Sequence, residues 1–265
     1  MTYTDFRTWC STPLTGTPDV SVVIPAFNEN DRIVPTIGAI SAHLCSSGHS
    51  LELIVSDDGS TDGTAALVRS LGLANVSVMH SKVNRGKGAA VRDGVIAAKG
   101  RYILFSDADL STPIEEFDRL LAAVERGAGV AVASRAAGGA EERCRSRLRS
   151  LTSAALRGGL RGATGVRVKD TQCGFKLFAR EAAHALFRAS CVDGFSFDLE
   201  ILWLAQRWHI RIVEIPVSWI EAPGSKVNVG RESLRFARDV AALHYRDLRG
   251  RYDTAALVPT TAVRP

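Results

Sequence analysis

The chain has few of the features that mark secreted or membrane-spanning proteins. Its five cysteines are odd in number and contain no C-x-x-C pair, so we expect neither a disulfide framework nor a zinc site. The longest stretch without a charged residue, 33–51, is broken by proline and glycine and is typical of an amphipathic helix rather than a membrane span. The N-terminal residues lack the apolar core of a signal peptide. These absences predict a protein of a reducing cytoplasm.

One long segment contains no acidic residue. Residues 143–169 hold eight Lys or Arg and no Asp or Glu, whereas the whole chain of 265 residues carries a net charge of only +5. A second basic segment, 226–251, holds seven basic and three acidic residues. Such segments predict an anionic partner. Because no aromatic residue is interleaved with the basic ones in 143–169, we do not expect that partner to be a nucleic acid.

Short β-branched segments alternate with helical patterns in the first half of the chain. With 46% hydrophobic and 23% charged residues, the composition is that of a globular protein. This alternation predicts an α/β fold with a mostly parallel central sheet flanked by helices. The predicted strands are Val20–Ile24, Leu51–Ser56, Val76–His80, Arg101–Ser106 and Val130–Ala133, and the predicted helices lie within 33–51 and at Ala65–Leu71, Gly88–Ala98 and Ile114–Glu125.

The alternation weakens after residue 134. We expect a single domain of two halves, 19–134 and 135–250, with a polar lead at 1–18 and a disordered tail at 251–265. In the second half, helices are predicted at 145–161, 180–188, 196–208 and 231–248, and strands near 175–178 and 211–215.

Four polar clusters follow predicted strands. In a parallel sheet, ligands bind at the carboxyl ends of the strands, so the clusters are expected to share one edge. Asp107 and Asp109 are two positions apart at a strand end, where their carboxylates face the same way. Such oxygen ligands suit Mg²⁺ or Mn²⁺, with a diphosphate supplying further oxygens. The clusters are PAFNE (25–29), SDDGSTDGT (56–64), NRGKG (84–88) and SDADLSTP (106–113).

Two of these clusters do not match common loops for metals or phosphates. An EF-hand counted from Asp58 would need a glutamate where the chain has Arg69. The segment around Lys87 lacks the glycine spacing and the following Ser or Thr of a P-loop. A turn with a helix cap remains the simpler interpretation of 57–63.

Taken together, the motifs resemble those of a known enzyme family. VVIPAFNE, VSDDGSTDGT, NRGKGAAVRDG and FSDADLSTP are similar to the nucleotide-sugar half of family 2 inverting glycosyltransferases of the GT-A fold. DTQCGFKLF, FDLEIL and EIPVSWIEAPGSK resemble the dolichyl-phosphate β-glucosyltransferase branch and related polyprenyl-phosphate sugar synthases. The resemblance extends over about residues 20–245. It implies a Rossmann-like GT-A domain with a nucleotide-sugar half at 19–134 and an acceptor half at 135–250.

The resemblance also implies which residues bind the donor, most of them in the first half. Asp107 and Asp109 would hold Mg²⁺ or Mn²⁺ on the donor diphosphate, and Lys226 would close over that diphosphate. A UDP-sugar is the favoured donor, and Ser111 favours glucose over mannose because mannosyl relatives often have glutamine there. N-acetylhexosamine remains possible. The donor-binding residues implied are Pro25, Ala26, Glu29, Asp57, Lys87, Asp93, Asp107, Ala108 and Lys226.

The acceptor is expected to be a polyprenyl phosphate. Arg135, Arg149 and Ser153 would bind its phosphate, which is already ionised near pH 7 because its second pKa is about 6. No general base is then required. The catalytic residues implied are Asp109, Arg135 and Asp198. If the acceptor is instead the hydroxyl of a saccharide or small molecule, Asp170, Asp198 or Glu200 could serve as the base.

A lipid acceptor implies a location at a membrane. The basic segment 143–169 and the final amphipathic helix would dock on the anionic inner face of the membrane, which predicts a peripheral cytoplasmic enzyme. Ordinary packing on the domain is the alternative for that helix. Leu234, Ala237, Ala241, Tyr245 and Leu248 form its predicted apolar stripe.

Overall fold

The fold is built on one large sheet. The computed structural model describes residues 3–137, 141–143, 164–220 and 229–253. The strands are β1 (Val20–Ala26), β2 (Leu51–Asp57), β3 (Val76–His80), β4 (Tyr102–Ser106), β5 (Val130–Ser134), β6 (Glu141–Arg143), β7 (Phe175–Ala179), β8 (Ile212–Pro216) and β9 (Ser218–Ile220). Seven of them form a sheet in the order β3-β2-β1-β4-β7-β5-β8, and a second sheet pairs β6 with β9.

Helices cover both faces of the large sheet. No helix in the described ranges is long and apolar enough to cross a membrane. The helices are α1 (Tyr3–Ser11), α2 (Ile33–Ser46), α3 (Thr64–Ser70), α4 (Lys87–Ala97), α5 (Phe117–Glu125, preceded by a 3-10 turn at Ile114–Glu116), α6 (Arg180–Ala189), α7 (Phe197–Arg207) and α8 (Val229–Leu248).

The sequence of strand β1 does not alternate between apolar and polar residues, and its burial explains why. All seven of its residues are buried, because helices pack on both sides of the sheet. Val22 and Ile24 join the core beneath α2 and α5. Val23 joins the opposite core, formed with α4, α6 and α7. The predicted α/β fold with a mostly parallel sheet is confirmed.

Strand β7 is the exception to the parallel arrangement. It lies between β4 and β5 and is antiparallel to both, with Ser106 of β4 opposite Phe175 of β7. The amino end of β7 therefore lies at the same edge as the carboxyl end of β4. The segment 170–174, which precedes β7, is thereby brought to the edge where the polar clusters were expected.

Both ends of the domain differ from the polar lead and tail predicted for them. Helix α1 packs on the sheet: the buried Trp9 donates from Nε1 to the Leu51 carbonyl at 2.7 Å. Asn75 donates to the Trp9 carbonyl at 2.6 Å. At the other end, Tyr252 is completely buried, so packing continues beyond residue 250. The predicted helix 145–161 lies outside the described residues.

Candidate active site

The carboxyl ends of β1, β2 and β4 form the floor of the candidate site. Asp57, at the end of β2, is 2% exposed. Its Oδ1 accepts a hydrogen bond from the Ser60 amide at 3.0 Å and lies 2.7 Å from His80 Nδ1. Its Oδ2 is buried and has no hydrogen-bond partner among the residues that the structure describes. A buried acceptor of this kind has a free energy cost unless a ligand supplies a donor.

Asp58 shapes the loop that leads to α4. Its two carboxylate oxygens accept hydrogen bonds from the amides of Arg85 at 2.9 Å and Gly86 at 2.7 Å. The motif that contains Asp58 predicts no separate role for this residue. The Asp58 carboxylate reaches these backbone amides because loop 58–60 packs against loop 83–86. No local sequence pattern predicts that contact.

The loop after β1 is tied to the loop after β2. Asn28 has a left-handed backbone (φ 56°), and its amide donates to Ser60 Oγ at 2.9 Å. The amide of Glu29 donates to Thr64 Oγ1 at 3.0 Å, while the Glu29 carboxylate pairs with Arg32 at 2.7 Å. The register of β1 on β2 places Pro25 opposite Ser56 and Ala26 opposite Asp57, and Glu29 lies in the loop that follows β1.

Lys87 and Asp107 form an ion pair in the site. Lys87 Nζ lies 2.6 Å from Asp107 Oδ1 and 5.4 Å from the centre of the Phe105 ring. Burial by itself lowers the pKa of Lys87, but the charges of Asp107, Asp198 and Asp109 outweigh it and leave the pKa above its usual range. Lys87 is therefore a permanent cation at neutral pH.

The D-A-D segment is fixed by its backbone. The Asp107 amide donates to the Gly174 carbonyl at 2.9 Å, and the Ala108 carbonyl accepts from Thr36 Oγ1 at 2.6 Å. Asp109 Oδ1 accepts from the Ser111 amide at 2.9 Å. The Asp107 carboxylate packs so closely on Gly174 that any Cβ there would overlap it.

Asp93 is less closely tied to the site than its neighbours. Its carboxylate, on α4, is 34% exposed and pairs with Arg85. The hydrogen bond that Arg85 donates to the Asp93 carboxylate raises the pKa of Arg85. The two side chains border the loop that Asp58 shapes, so Asp93 lies at the margin of the candidate site.

A buried ion pair lies beneath the site. Lys176 of β7 and Asp198 of α7 are 1% and 4% exposed, and Lys176 Nζ lies 2.5 Å from Asp198 Oδ1. Lys176 also donates to the Cys173 carbonyl at 2.5 Å. Burial raises the pKa of Asp198, although Lys176 and Lys87 oppose that rise. The partner of Asp198 is thus Lys176, a residue of the DTQCGFKLF segment.

Removing one member of this pair is expected to destabilise the fold strongly. Lys176→Met leaves Asp198 buried without its partner, so the free energy of unfolding should fall by about 3–5 kcal/mol in urea denaturation. The double variant Lys176→Met/Asp198→Leu, which removes both charges, should regain much of that loss. Lys82→Met, at an exposed lysine, is the control. A loss below about 1 kcal/mol, the range of surface pairs, would contradict the prediction.

Arg135 follows β5 and is held by Asp170. Its Nε and Nη2 donate to the two carboxylate oxygens of Asp170 at 2.7 and 2.8 Å, and its amide donates at 2.9 Å. The guanidinium also lies 5.5 Å from the centre of the Trp219 ring. Burial by itself raises the pKa of Asp170, but Arg135 outweighs it and holds the pKa below its usual range. Asp170 therefore orients Arg135.

Glu200, a candidate base in the sequence, and Cys173, in the DTQCGFKLF segment, both have surroundings that fit a structural role. The Glu200 carboxylate accepts hydrogen bonds from the Cys191 and Val192 amides and from the Tyr252 hydroxyl. Burial raises the pKa of the Cys173 thiol to about 11, which suits a packed thiol and not a nucleophile.

The structure brings most of the predicted site residues to one edge. Pro25, Ala26, Asp57, Lys87, Asp107, Ala108 and Asp109 surround the carboxyl ends of β1, β2 and β4, Arg135 follows β5, and Asp198 lies below them. Within the described ranges, no group of three or more His, Cys, Asp or Glu side chains forms a metal cage. Arg149, Ser153 and Lys226 lie outside the described residues.

The strand order of this sheet, with aspartates at the carboxyl ends of the parallel strands and one antiparallel strand beside them, is that of the GT-A class of glycosyltransferases. The chain belongs to glycosyl transferase family 2, whose family model matches residues 21–187. A solved structure of glucosyl-3-phosphoglycerate synthase from Mycobacterium tuberculosis, with Mn²⁺, UDP-glucose and phosphoglyceric acid, superposes with a TM-score of 0.63 at 21% identity. The match covers 85% of this chain and 79% of that one and concerns the fold.

Curated relatives share more of the sequence. The dolichyl-phosphate β-glucosyltransferase of Dictyostelium discoideum is 35% identical over 87% of this chain and 75% of its own length. The Saccharomyces cerevisiae enzyme of the same name is 36% identical over 88% of this chain and 76% of its own. The human enzyme is 33% identical over 88% and 77%. The resemblance read from the motifs is confirmed.

Proposed function

We propose that this glycosyltransferase moves glucose from UDP-glucose to the phosphate of a polyprenyl phosphate, with inversion at the anomeric carbon. The similarity to dolichyl-phosphate β-glucosyltransferases along most of the chain is the observation that carries the proposal. Ser111 in the SDADLSTP segment supports glucose over mannose. The residues at the sheet edge supply the chemistry that such a reaction needs.

The donor nucleoside would bind along the ends of β1 and β2. The buried Asp57 Oδ2 has no hydrogen-bond partner within the described part of the chain, and the imide N–H of uracil is a donor of the required kind. Pro25 and Ala26 form the adjoining wall, and Glu29 lies in the loop above them. Lys87, a permanent cation at the amino end of α4, would pair with the diphosphate, and Asp93 would border the same pocket.

The diphosphate would bring a divalent cation to Asp107 and Asp109. Two carboxylates at one strand end fit a hard cation that takes its remaining oxygens from the diphosphate and water. Mg²⁺ and Mn²⁺ both suit this donor set. When bound, the cation supplies Lewis-acid stabilisation of the charge on the departing UDP. Ala108 keeps the two carboxylates in place through its carbonyl, and Lys226 would cover the diphosphate.

The acceptor phosphate would bind on the side of β5. Arg135 is oriented by Asp170, and a guanidinium is a group that recognises phosphate oxygens well. Arg149 and Ser153 would complete this pocket. A phosphomonoester with a second pKa of about 6 is mostly a dianion at pH 7, so its oxygen attacks the anomeric carbon without a general base. UDP leaves from the opposite face.

A hydroxyl acceptor would need a general base, and the candidates are already engaged. Asp170 binds Arg135, Asp198 binds Lys176, and Glu200 binds backbone amides. Each of these carboxylates is at most 4% exposed. We therefore propose that Asp198 supports catalysis from beneath the site by holding Lys176, and that the acceptor is the phosphate.

Donor and acceptor assays test the proposal directly. Radiolabelled UDP-glucose, UDP-N-acetylgalactosamine and GDP-mannose are incubated with dolichyl phosphate or bacterial polyprenyl phosphate and Mg²⁺ or Mn²⁺. We expect organic-extractable, acid-labile label from UDP-glucose. Label that remains water-soluble would favour a hydroxyl acceptor, and no transfer from any donor would overturn the proposed function.

Helix α8 supports attachment of the enzyme to the inner face of a membrane. Its core side is formed by Leu243 and Val240, whereas Tyr245 and Leu248, two described members of the predicted apolar stripe, are 58% and 88% exposed. Arg238 and Arg249 are exposed on the same helix. An exposed apolar face flanked by cations suits an anionic lipid surface.

Loss of the exposed apolar side chains should weaken membrane binding. In flotation with vesicles containing about 30% phosphatidylserine, the protein is expected to float with the vesicles, and Tyr245→Ser/Leu248→Ser should reduce the bound fraction several-fold because apolar burial contributes about 25 cal/mol per Å². Glu125→Gln, on α5, is the control. Equal flotation of all three proteins, or none by the parent, would contradict this attachment.

A further inference from the structure

Glu200 is a completely buried carboxylate for which the proposed reaction has no direct use. Its two oxygens accept hydrogen bonds from the Cys191 amide at 3.0 and 2.9 Å. Val192 donates at 2.8 Å and the Tyr252 hydroxyl at 2.5 Å. Burial raises the pKa of the Tyr252 phenol, and Glu200 raises it further, so the phenol stays protonated and donates. The carboxylate therefore joins turn 191–194 to residues 249–253, the turn that follows α8 and is called the C-terminal turn below.

Turn 191–194 in turn holds the amino end of α4. The Asp193 carbonyl accepts hydrogen bonds from the Gly88 amide at 2.7 Å and the Ala89 amide at 3.2 Å. The first amides of a helix have no partner within it, so this carbonyl satisfies groups that a side-chain cap would otherwise serve. Arg92 also pairs with the Asp193 side chain. The amino end of α4 thus depends on a turn 105 positions further along the chain, counted from Gly88 to Asp193.

The packing at this contact leaves no space for side chains. A Cβ at Gly86 would overlap the Asp193 carbonyl, and one at Gly88 would lie 2.5 Å from the Val192 carbonyl. Lys87 lies between these two glycines, and its ammonium reaches Asp107. A small displacement of turn 191–194 must therefore displace the backbone that carries Lys87.

We propose that Glu200 and Tyr252 are positioning residues for Lys87, so that the docking of the C-terminal turn sets the donor site. This inference rests on the proposed function in placing Lys87 against the donor diphosphate. The path runs from the Tyr252 hydroxyl through the Glu200 carboxylate and turn 191–194 to the amino end of α4. Every link is a hydrogen bond or a close backbone contact.

The C-terminal turn is itself firmly docked on α7. Tyr252 packs edge-on against Trp203, with ring centres 5.6 Å apart, and its carbonyl accepts from Trp208 Nε1 at 3.2 Å. Arg207 pairs with Asp253 at 2.8 Å. The turn directly follows α8, so the element proposed to meet the membrane continues into the residue that binds Glu200. The donor site is thereby linked to the position of the C-terminal segment.

The test compares two tyrosine-to-phenylalanine variants. Tyr252→Phe removes the hydroxyl that binds Glu200 and also interacts with Arg246, whereas Tyr245→Phe removes a hydroxyl from an exposed residue of α8 and leaves the C-terminal turn intact. Hydrogen exchange of peptides covering residues 86–92 reports the amino end of α4. We expect exchange to become about tenfold faster in Tyr252→Phe and to change little in Tyr245→Phe, since the bond lost from Tyr252 involves a charged acceptor. Unchanged exchange in Tyr252→Phe, or an equal increase in both variants, would overturn the inference.

Steady-state kinetics test whether this positioning of Lys87 affects binding of the donor. In Tyr252→Phe the KM for UDP-glucose should rise about tenfold, with the KM for the lipid acceptor unchanged. In a Lys87→Met background the same change should have little further effect on the donor KM, because the two changes act on one path. A full tenfold effect in both backgrounds would show that Tyr252 does not act through Lys87. If the parent enzyme does not use UDP-glucose, the proposed function fails, and the exchange experiment still decides the positioning link.

Discussion

Asp109→Asn is expected to reduce kcat/KM for glucosyl transfer by about 10³-fold or more, because Lewis-acid stabilisation by a bound cation is worth several kcal/mol. Asparagine keeps an Oδ1 that accepts the Ser111 amide, so the loop conformation should survive. The charge that holds a divalent cation is lost. Steady-state kinetics with UDP-glucose and dolichyl phosphate measure the loss, and Mn²⁺ binding followed by electron paramagnetic resonance should weaken in parallel.

The control for this change is an aspartate outside the site. Asp31→Asn alters an exposed carboxylate just before α2 and should leave kcat/KM within about twofold, as expected of a surface substitution. Retention of parental activity by Asp109→Asn would show that the second carboxylate of the D-A-D segment does not bind the metal. A loss of activity with unchanged Mn²⁺ binding would likewise contradict the metal role of Asp109.

Gly174→Ala is expected to reduce kcat/KM by about 10²-fold through a single added methyl group. That methyl group would occupy the space of the Asp107 carboxylate, so the carboxylate must move away from its position beside Lys87. A displacement of about 1 Å in a catalytic group costs on this order in rate. Overpacking of this kind also costs about 1–3 kcal/mol of stability, which thermal unfolding should record as a lower Tm.

The matched substitution is Gly38→Ala in α2. Gly38 lies within helix α2, and a Cβ added there would meet no other atom. Alanine at this position should therefore leave activity unchanged and raise stability slightly. If Gly174→Ala lowers Tm without lowering kcat/KM measured well below that Tm, the contact of Gly174 with Asp107 has no role in catalysis.

The residues that follow the parallel strands were predictable because the apolar run that marks a strand and the polar residues after it are local features of the sequence. Apolar runs at 20–24, 51–56 and 101–106 identify β1, β2 and β4, and parallel strands place their carboxyl ends together. Asp57, Asp107 and Asp109 were therefore assigned to one edge without any knowledge of contacts. The motif resemblance added their roles, which remain proposals for the individual residues.

The partners of the buried charges were not predictable in this way. Asp198 and Glu200 are two residues apart on α7, yet one binds Lys176 and the other binds the amides of turn 191–194. Nothing in the segment FDLEIL distinguishes them. The difference arises because neighbouring positions on a helix face different surroundings, and those surroundings come from distant parts of the chain.

By itself, the sequence determined the class of fold, the edge of the sheet that carries the site and the acidic pair suited to a cation. These properties follow from hydrophobic patterns and strand ends, which are local. Only the tertiary structure decided that β7 runs antiparallel and brings Gly174 against Asp107, and that Tyr252 reaches Glu200. Such contacts join residues far apart in the chain and depend on packing geometry, which composition and periodicity do not contain.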